Sequence, residues 1–222
     1  MSHQTTSQST KKLIEHQIKN LFPTENELII SMKIADLAFE KTVACIQTLK
    51  QWKSNGFDYL VSWQYATYLY FLSRQIFLEE ENIECATRVY LVNKALNSVE
   101  LFYLIEMPKY FFLSHTPGLV FAQANYGEYS VFHQSCTVGR SGEDRPILEE
   151  GVILYPNSSV IGRCHVRENT VLAPGVQLVN QDTPGNCYVF TGEMGRPIFK
   201  EIDEYFADRY FDRQNASDAT SL

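Results

Sequence analysis

Chemistry has few places to sit in this 222-residue chain. Two histidines, His115 and His133, stand 18 positions apart. A neutral imidazole near its reference pKa can take a proton at physiological pH, which is the task wherever a hydroxyl must be activated. Other chemistries lack their residues. There is no phosphate-cradling P-loop, no G-x-G-x-x-G fingerprint and no G-x-S-x-G elbow. The five cysteines (Cys45, Cys85, Cys136, Cys164 and Cys187) are scattered, with no C-x-x-C pair. Such a set reads as reduced thiols rather than a disulfide frame or a zinc site. Asp, Glu and His show no recognisable ligand spacing, and no metal is expected.

The elements that must hold these groups are written most plainly from Leu148 to Val179. An aliphatic residue recurs every sixth position, at Leu148, Leu154, Val160, Val166, Leu172 and Leu178. Four residues after each of the first five comes a small or β-branched side chain: Val152, Ser158, Cys164, Thr170 and Val176. A period of six fits neither helix nor strand alternation. It is the mark of a parallel β-helix, in which three short strands make one triangular coil of about 18 residues. The aliphatics should stack inside, and the small residues, Cys164 among them, should pack the turns.

The six-residue step runs backwards through Val138, Phe132, Tyr126 and Val120. Between Val138 and Leu148 the step is ten, so four residues of GRSGEDRPI must leave the coil as a polar, glycine-containing loop. If no other residue is inserted, His115 and His133 occupy the same outward position in successive coils. Strands in neighbouring coils lie about 4.8 Å apart, so the two imidazoles would stack.

Composition bounds the remaining classes. A net charge of −7 argues against nucleic acid as a partner. The opening MSHQTTSQSTKK has no apolar run of the kind a signal peptide needs. The longest uncharged stretch, Tyr59 to Ser73, contains Ser, Gln and Thr and is too short for a transmembrane segment. A cytoplasmic protein is the expectation.

In chain order, a disordered tail to about Ser9 gives way to a helix over 10–22, closed by Pro23. Thr24 with Glu27 has the spacing of a capping box for a second helix, which should stop at Gly56. Residues 57–78 are crowded with Trp63, Tyr65, Tyr68, Tyr70 and Phe71, and the length favours a buried helix over a strand or a ligand box. A last helix over 83–107 should end at Pro108. The fold class is therefore α+β: a helical domain over 1–108 and a β-helix over 109–200. A short helix and a disordered C-terminal tail fill 201–222.

Four segments resemble the serine acetyltransferase family of left-handed β-helix acyltransferases. SHTPGLVFAQ, from Ser114, is similar to the family's catalytic-histidine segment, and QSCTVG over 134–139 to its Q-S-V-T-L-G coil. SGEDRP over 141–146 resembles its Gly-Gly-Asp-Arg-His-Pro loop, and MGRP over 194–197 a Gly-x-Pro terminus. The resemblance covers about 115–200; before that it is one of helical character only.

The resemblance implies transfer of an acetyl group from acetyl-CoA to a hydroxyl. His115 takes the place of the catalytic base, with His133 as a second candidate. Ser114, Asp144 and Arg145 are the candidate acceptor-binding residues. Backbone at Gly139, Pro156 and Ala173 is expected to line the pantetheine slot. Arg140, Arg163 and Arg196, with Arg167 and Lys200, are expected near the anionic end of the donor.

A homotrimer, or a dimer of trimers, follows from the same resemblance and from geometry. About five coils give only a small flat face, and one chain has no enclosed cleft. Val131, Val138, Tyr155, Ile161 and Val189 are expected to add apolar area to the outer faces, and the 140–145 loop to reach a neighbour's His115.

Three departures bear on the acceptor. The histidine that follows the loop arginine in the family is missing, since Arg145 runs into Pro146. Ser114 replaces an acidic residue. The chain reaches His115 seven residues after Pro108, which leaves the first coil short. A zwitterionic amino acid needs charged partners, so the sequence points to a sugar or surface-polysaccharide hydroxyl first and to L-serine second. The competing class is an inactive scaffold or binding module, in which His115 is incidental.

Overall fold

The computed structural model describes residues 5–25, 28–52 and 56–213. Four helices come first: α1 (Ser7–Leu21), α2 (Met32–Gln47), α3 (Ser62–Glu80) and α4 (Ile83–Asn97). Thr6 and Ser9 cap α1 reciprocally, and its Thr10, Ile14 and Ile18 form one buried stripe. The second helix starts later than a Thr24–Glu27 box would place it. Its cap is Ser31, whose hydroxyl accepts from Ile34 N–H; Glu27 lies outside the described residues.

α2 also stops at Gln47, well before Gly56, because Leu49 leaves the helix to bridge Phe211. α3 lies between α2 and α4 and is buried all round from Trp63 to Ser73. That burial explains an apolar pattern with no polar face.

The last helix ends at Asn97, eleven residues before Pro108. Ser98 turns into the left-handed region (φ 54°), and Val99 begins a strand instead. That strand, β1 (Val99–Leu101), pairs in parallel with β3 (Leu119–Phe121), so the β-helix starts at Val99 and its first coil is complete. The shortened first coil expected from the sequence is not there.

Three sheets form the triangular section. The middle sheet orders β1, β3, β6 (Thr137–Gly139), β9 (Ser159–Ile161) and β12 (Gln177–Val179). The small sheet orders β4 (Asn125–Tyr126), β7 (Ile147–Leu148) and β10 (His165–Val166). The large sheet orders β2 (Phe111–Ser114), β5 (Ser130–His133), β8 (Ile153–Leu154), β11 (Thr170–Leu172), β13 (Cys187–Thr191) and β14 (Pro197–Glu201). Every pairing is parallel except the terminal β13–β14 hairpin.

Leu148, Leu154, Val160, Val166, Leu172 and Leu178 all face the interior, and the small residues between them are buried. Asn and Gly in left-handed conformation turn the corners, among them Asn157, Gly162, Asn169 and Asn180.

The earlier coils keep this frame with different steps. Phe121, not Val120, is the inward residue: it pairs with Val138, whereas Val120 is 39% exposed. Val131, Val138 and Val189 are buried rather than exposed, so they add nothing to an outer apolar face.

After Glu201 the chain makes a 3-10 turn at Phe206–Arg209, and among the described residues no amphipathic helix spans 201–213. Its backbone groups are taken by other parts of the fold. Phe206 N–H donates to Asn169 Oδ1, Lys50 N–H to the Tyr210 carbonyl and Asp212 N–H to the Thr48 carbonyl. The expected tail from Gln214 lies outside the described residues.

Candidate active site

His115 follows β2 at the corner between the large and middle sheets. Its backbone is left-handed (φ 64°), and Gly118 (φ 78°) completes the turn, with Gly118 N–H donating to the Ser98 carbonyl. A non-glycine residue held there costs energy unless its surroundings fix it, and such positions cluster at functional sites. The His115 side chain is exposed and finds no hydrogen-bond partner among the described residues. It lines a pocket of about 250 Å3 with Leu49, Gln51, Trp52, Trp63, Phe112, Ser114 and Tyr210. The walls come from the α2–α3 connection, from β2 and from the C-terminal segment.

The register separates the two histidines. Ser114, not His115, pairs with His133, because one extra residue in this coil makes the step 19, from 114 to 133. The imidazoles therefore do not stack on each other. His133 stacks on Tyr155 instead (ring centroids 4.8 Å apart, planes at 20°), and its Nε2 lies 3.3 Å from the Tyr210 hydroxyl. Burial, reinforced by the nearby His115, pulls the His133 pKa from 6.5 to about 4. His133 is thus neutral at physiological pH. The Tyr210 hydroxyl donates in turn to the Tyr155 hydroxyl at 3.2 Å.

Gln134 follows His133 and so stands across from His115 in the next coil. Its Oε1 is buried with no hydrogen-bond partner among the described residues, an orphan acceptor of the kind that calls for an explanation.

The other expected site residues fall into two groups. One row climbs the His115 corner. Pairing runs from Ser114 to His133, and the registers of Phe132 with Leu154, Leu154 with Leu172 and Leu172 with Val189 continue it. One residue further along each strand, these put Tyr155, Ala173 and Phe190 above His133. Pro156 belongs to the same corner, and Arg196 sits in the turn of the β13–β14 hairpin above it. The four steps from Ser114 to Phe190 span about 19 Å at normal strand spacing.

Gly139, Arg140, Asp144, Arg145 and Arg163 lie instead around the corner between the middle and small sheets. Ser141 and Asp144 close the loop there with a pair of backbone hydrogen bonds. Arg145 lines a polar pocket of about 400 Å3 with Glu106, Gln123, Asn125 and Tyr126, and His115 is not among its residues. Nor are the basic residues one patch. Arg167 lies next to β10 of the small sheet, whereas Lys200 pairs with Tyr188 at the edge of the large one.

Sequence reasoning did not find Trp52, Tyr155, Tyr210 or the orphaned Gln134 oxygen. Tyr210 came from a segment read as a separate helix, and no local pattern betrays its return to the site.

No family model matches the chain. A serine acetyltransferase of Synechococcus elongatus is 28% identical over 114 residues, which is 49% of this chain and 46% of that enzyme. Solved structures align over more of the chain. The serine acetyltransferase of Vibrio cholerae superposes with a TM-score of 0.69 at 14% identity, over 92% of this chain and 84% of its own. That of Brucella abortus gives 0.65 at 15% identity, over 88% and 84%. That of Neisseria gonorrhoeae, solved in complex with serine, gives 0.62 at 18%, over 85% and 82%.

The chain has the fold of the serine acetyltransferases. Its coils form the left-handed β-helix expected from the repeats, behind a helical N-terminal half. Among the described residues, no helix is long and apolar enough to cross a membrane, and no group of three or more His, Cys, Asp or Glu is placed to hold a metal ion.

Proposed function

We propose that the protein is an acetyl-CoA-dependent O-acetyltransferase with His115 as its general base. The carrying observation is an exposed, unpartnered imidazole in left-handed backbone, beside a pocket and at the foot of the corner row. His115 takes the proton of the acceptor hydroxyl as its oxygen attacks the thioester carbonyl. The tetrahedral adduct then collapses to the acetyl ester, and the departing CoA sulfur regains a proton. Gln134 Oε1, one coil away, is the acceptor available to the second ring N–H of His115 as it becomes charged. The row through Pro156 and Ala173 is the path assigned to pantetheine, with Arg196 at its far end.

L-serine is the acceptor favoured by what the similar enzymes are named for. One of the three departures that pointed elsewhere, the short first coil, is not in the structure. A sugar hydroxyl stays as a second reading on one observation. Among the described residues, the pocket at His115 has four aromatic walls and no Asp, Glu, Lys or Arg side chain, and aromatic faces suit a sugar ring better than a zwitterion.

Asp144 and Arg145 belong to a different corner from His115 within one chain. A homotrimer, which would bring one subunit's loop to its neighbour's histidine, is therefore part of the proposal.

CoA release measured with acetyl-CoA and either L-serine or a monosaccharide panel tests the activity and ranks the acceptors. No acetyl transfer to any hydroxyl would leave the scaffold reading in its place. Mixing His115→Ala with Arg145→Ala subunits tests the assembly: shared sites recover part of the activity, whereas sites confined to one chain recover none.

A further inference from the structure

The C-terminal segment from Ile202 to Arg213 is a strap tied to both halves of the molecule. On the β-helix side, Ile202 N–H donates to the Asn186 carbonyl at 3.0 Å, and Asn169 brackets the strap. Asn169 Nδ2 donates to the Glu204 carbonyl at 2.9 Å, and Asn169 Oδ1 accepts from Phe206 N–H at 2.8 Å. On the helical side the backbone of Tyr210 and Asp212 pairs with that of Lys50 and Thr48. Phe211 is fully buried against Tyr129. Between these anchors one side chain, Tyr210, enters the pocket of His115.

The hydroxyl of Tyr210 gives its proton to Tyr155, so toward His133 it is an acceptor. That fixes which ring nitrogen of His133 carries hydrogen: Nε2, with Nδ1 left as a lone pair. The groups facing His133 are Ser114 and His115 from β2 and its corner, Tyr155 above it, and Tyr210 from the strap. Tyr188 lies beyond Tyr155, and Arg209 carries the charge next to Tyr210 on the strap. Among the described residues, the His115 imidazole has no hydrogen-bond partner.

We propose that Tyr210 is a positioning residue: the strap delivers its hydroxyl to lock His133 into the Nε2–H form, so that a fixed neutral ring borders His115. A base works best beside groups that are oriented before the reaction begins. An unlocked His133 could flip, or take the proton that His115 must collect. This rests on His115 being the reactive histidine, and the test is arranged to separate the two.

Tyr210→Phe removes one oxygen and keeps the ring packing. Tyr205→Phe is the control: it removes another strap hydrogen bond, to Glu150 at 2.8 Å, away from the pocket. Two readouts need no substrate. Nitrogen-15 shifts of His133 report its tautomer, and carbethoxylation of His115 by diethyl pyrocarbonate reports the reactivity of the exposed imidazole.

Tyr210→Phe is expected to turn the single Nε2–H signature of His133 into a tautomer mixture. It should also shift the pH profile of His115 modification, while Tyr205→Phe leaves both as in wild type. In the acetyltransferase assay Tyr210→Phe should lower kcat roughly tenfold, the lower end of what supporting partners of a reactive group are worth, with the KM for acetyl-CoA unchanged. Unchanged tautomer and His115 reactivity in Tyr210→Phe overturn the proposal, and so does an equal change in Tyr205→Phe, which would reduce the strap to a staple. A wild-type protein that transfers no acetyl group overturns the proposed activity instead, and the two substrate-free readouts still decide the role of Tyr210.

Discussion

The coils on either side of the Arg140–Arg145 excursion are built from different materials. Above it the interior is aliphatic, with Leu154, Val160, Val166, Leu172 and Leu178 in register at 18-residue steps, such as 154 to 172 and 160 to 178. Below it the interior mixes aliphatic Leu101 and Leu113 with aromatic Phe121, Tyr126 and Phe132, which meet edge to face, the closest pair at 4.9 Å and 86°. The steps there vary: 20 from 99 to 119, 19 from 111 to 130, and 17 from 121 to 138.

The upper coils need only stack on one another. The lower ones must also meet the helices, as β1 does with α4 and β2 with α3, and each changed step re-aims a side chain. One extra residue in the β2–β5 coil is what moves His115 off the row of His133 and into the pocket. Regularity here serves stability, and departures from it mark the proposed site.

If the irregular coil holds the chemistry, its histidine should be the most sensitive position in the molecule. His115→Ala should lower kcat by roughly 10²- to 10⁴-fold, the usual worth of a general base, with a melting temperature close to wild type because the side chain is exposed. Near-normal turnover in a folded variant would assign the chemistry elsewhere. The reverse pattern belongs to the upper coils. Leu172 is fully buried, and Leu172→Ala should cost about 2–5 kcal/mol of stability by cavity formation. Acetyl transfer below its melting point should be little changed. A Leu172→Ala protein that melts normally would show that the repeat core is not what holds the coils.

The same contrast explains what could be read from the sequence. In the upper coils every inward slot carries an aliphatic residue, so Leu148 to Leu178 announced their own register. Below the excursion the period survived only as a trace. Val120 fits the six-residue count, yet its neighbour Phe121 is the one that fits the interior, and counting alone could not choose between them.

The end of α4 was hidden because Val99–Leu101 continues an apolar run, and only a left-handed Ser98 separates helix from strand. His115 was found through resemblance of its flanking residues, not through spacing, which gave the wrong partner for it. Its real neighbours arrive from distant segments. Tyr210 is 95 residues away in sequence, from 115 to 210, and nothing local to either residue records that they line one pocket.

The half-buried His133 allows a gentler test of the lower coils. In the folded protein its pKa is about 4, against 6.5 for an exposed histidine. Between those values the unfolded chain binds a proton that the folded chain refuses. Stability therefore falls as pH drops from about 6.5 to 4, and the contribution levels off outside that window. Glu149, held below its ordinary value chiefly by the Glu168 backbone N–H with help from His165, adds acid sensitivity only once the pH falls into the carboxylate range. Thermal melts of wild type and His133→Phe at pH 7 and pH 5 separate the two. Wild type should lose more stability than the variant over that interval, and parallel curves would mean that His133 is not buried as a neutral ring.

The smallest expected effect bears on which region holds the donor. Arg196 tops the corner that begins at His115, whereas Arg163 belongs to the corner of the Arg145 loop. Both side chains are exposed and neither has an ion-pair partner among the described residues. An exposed charge contact is worth about 0.2–1 kcal/mol, so losing one should raise the KM for acetyl-CoA by no more than about fivefold. It should also flatten the dependence of KM on salt. If the donor follows its own chain's corner, Arg196→Gln shows this change and Arg163→Gln does not. If the donor lies in a cleft between two subunits, Arg163→Gln shows it as well, because the neighbour's middle-sheet corner then forms the opposite wall. A change in Arg163→Gln alone would take the donor off the corner that begins at His115, and with it the division of labour between irregular and regular coils on which the assignment of the slot depends.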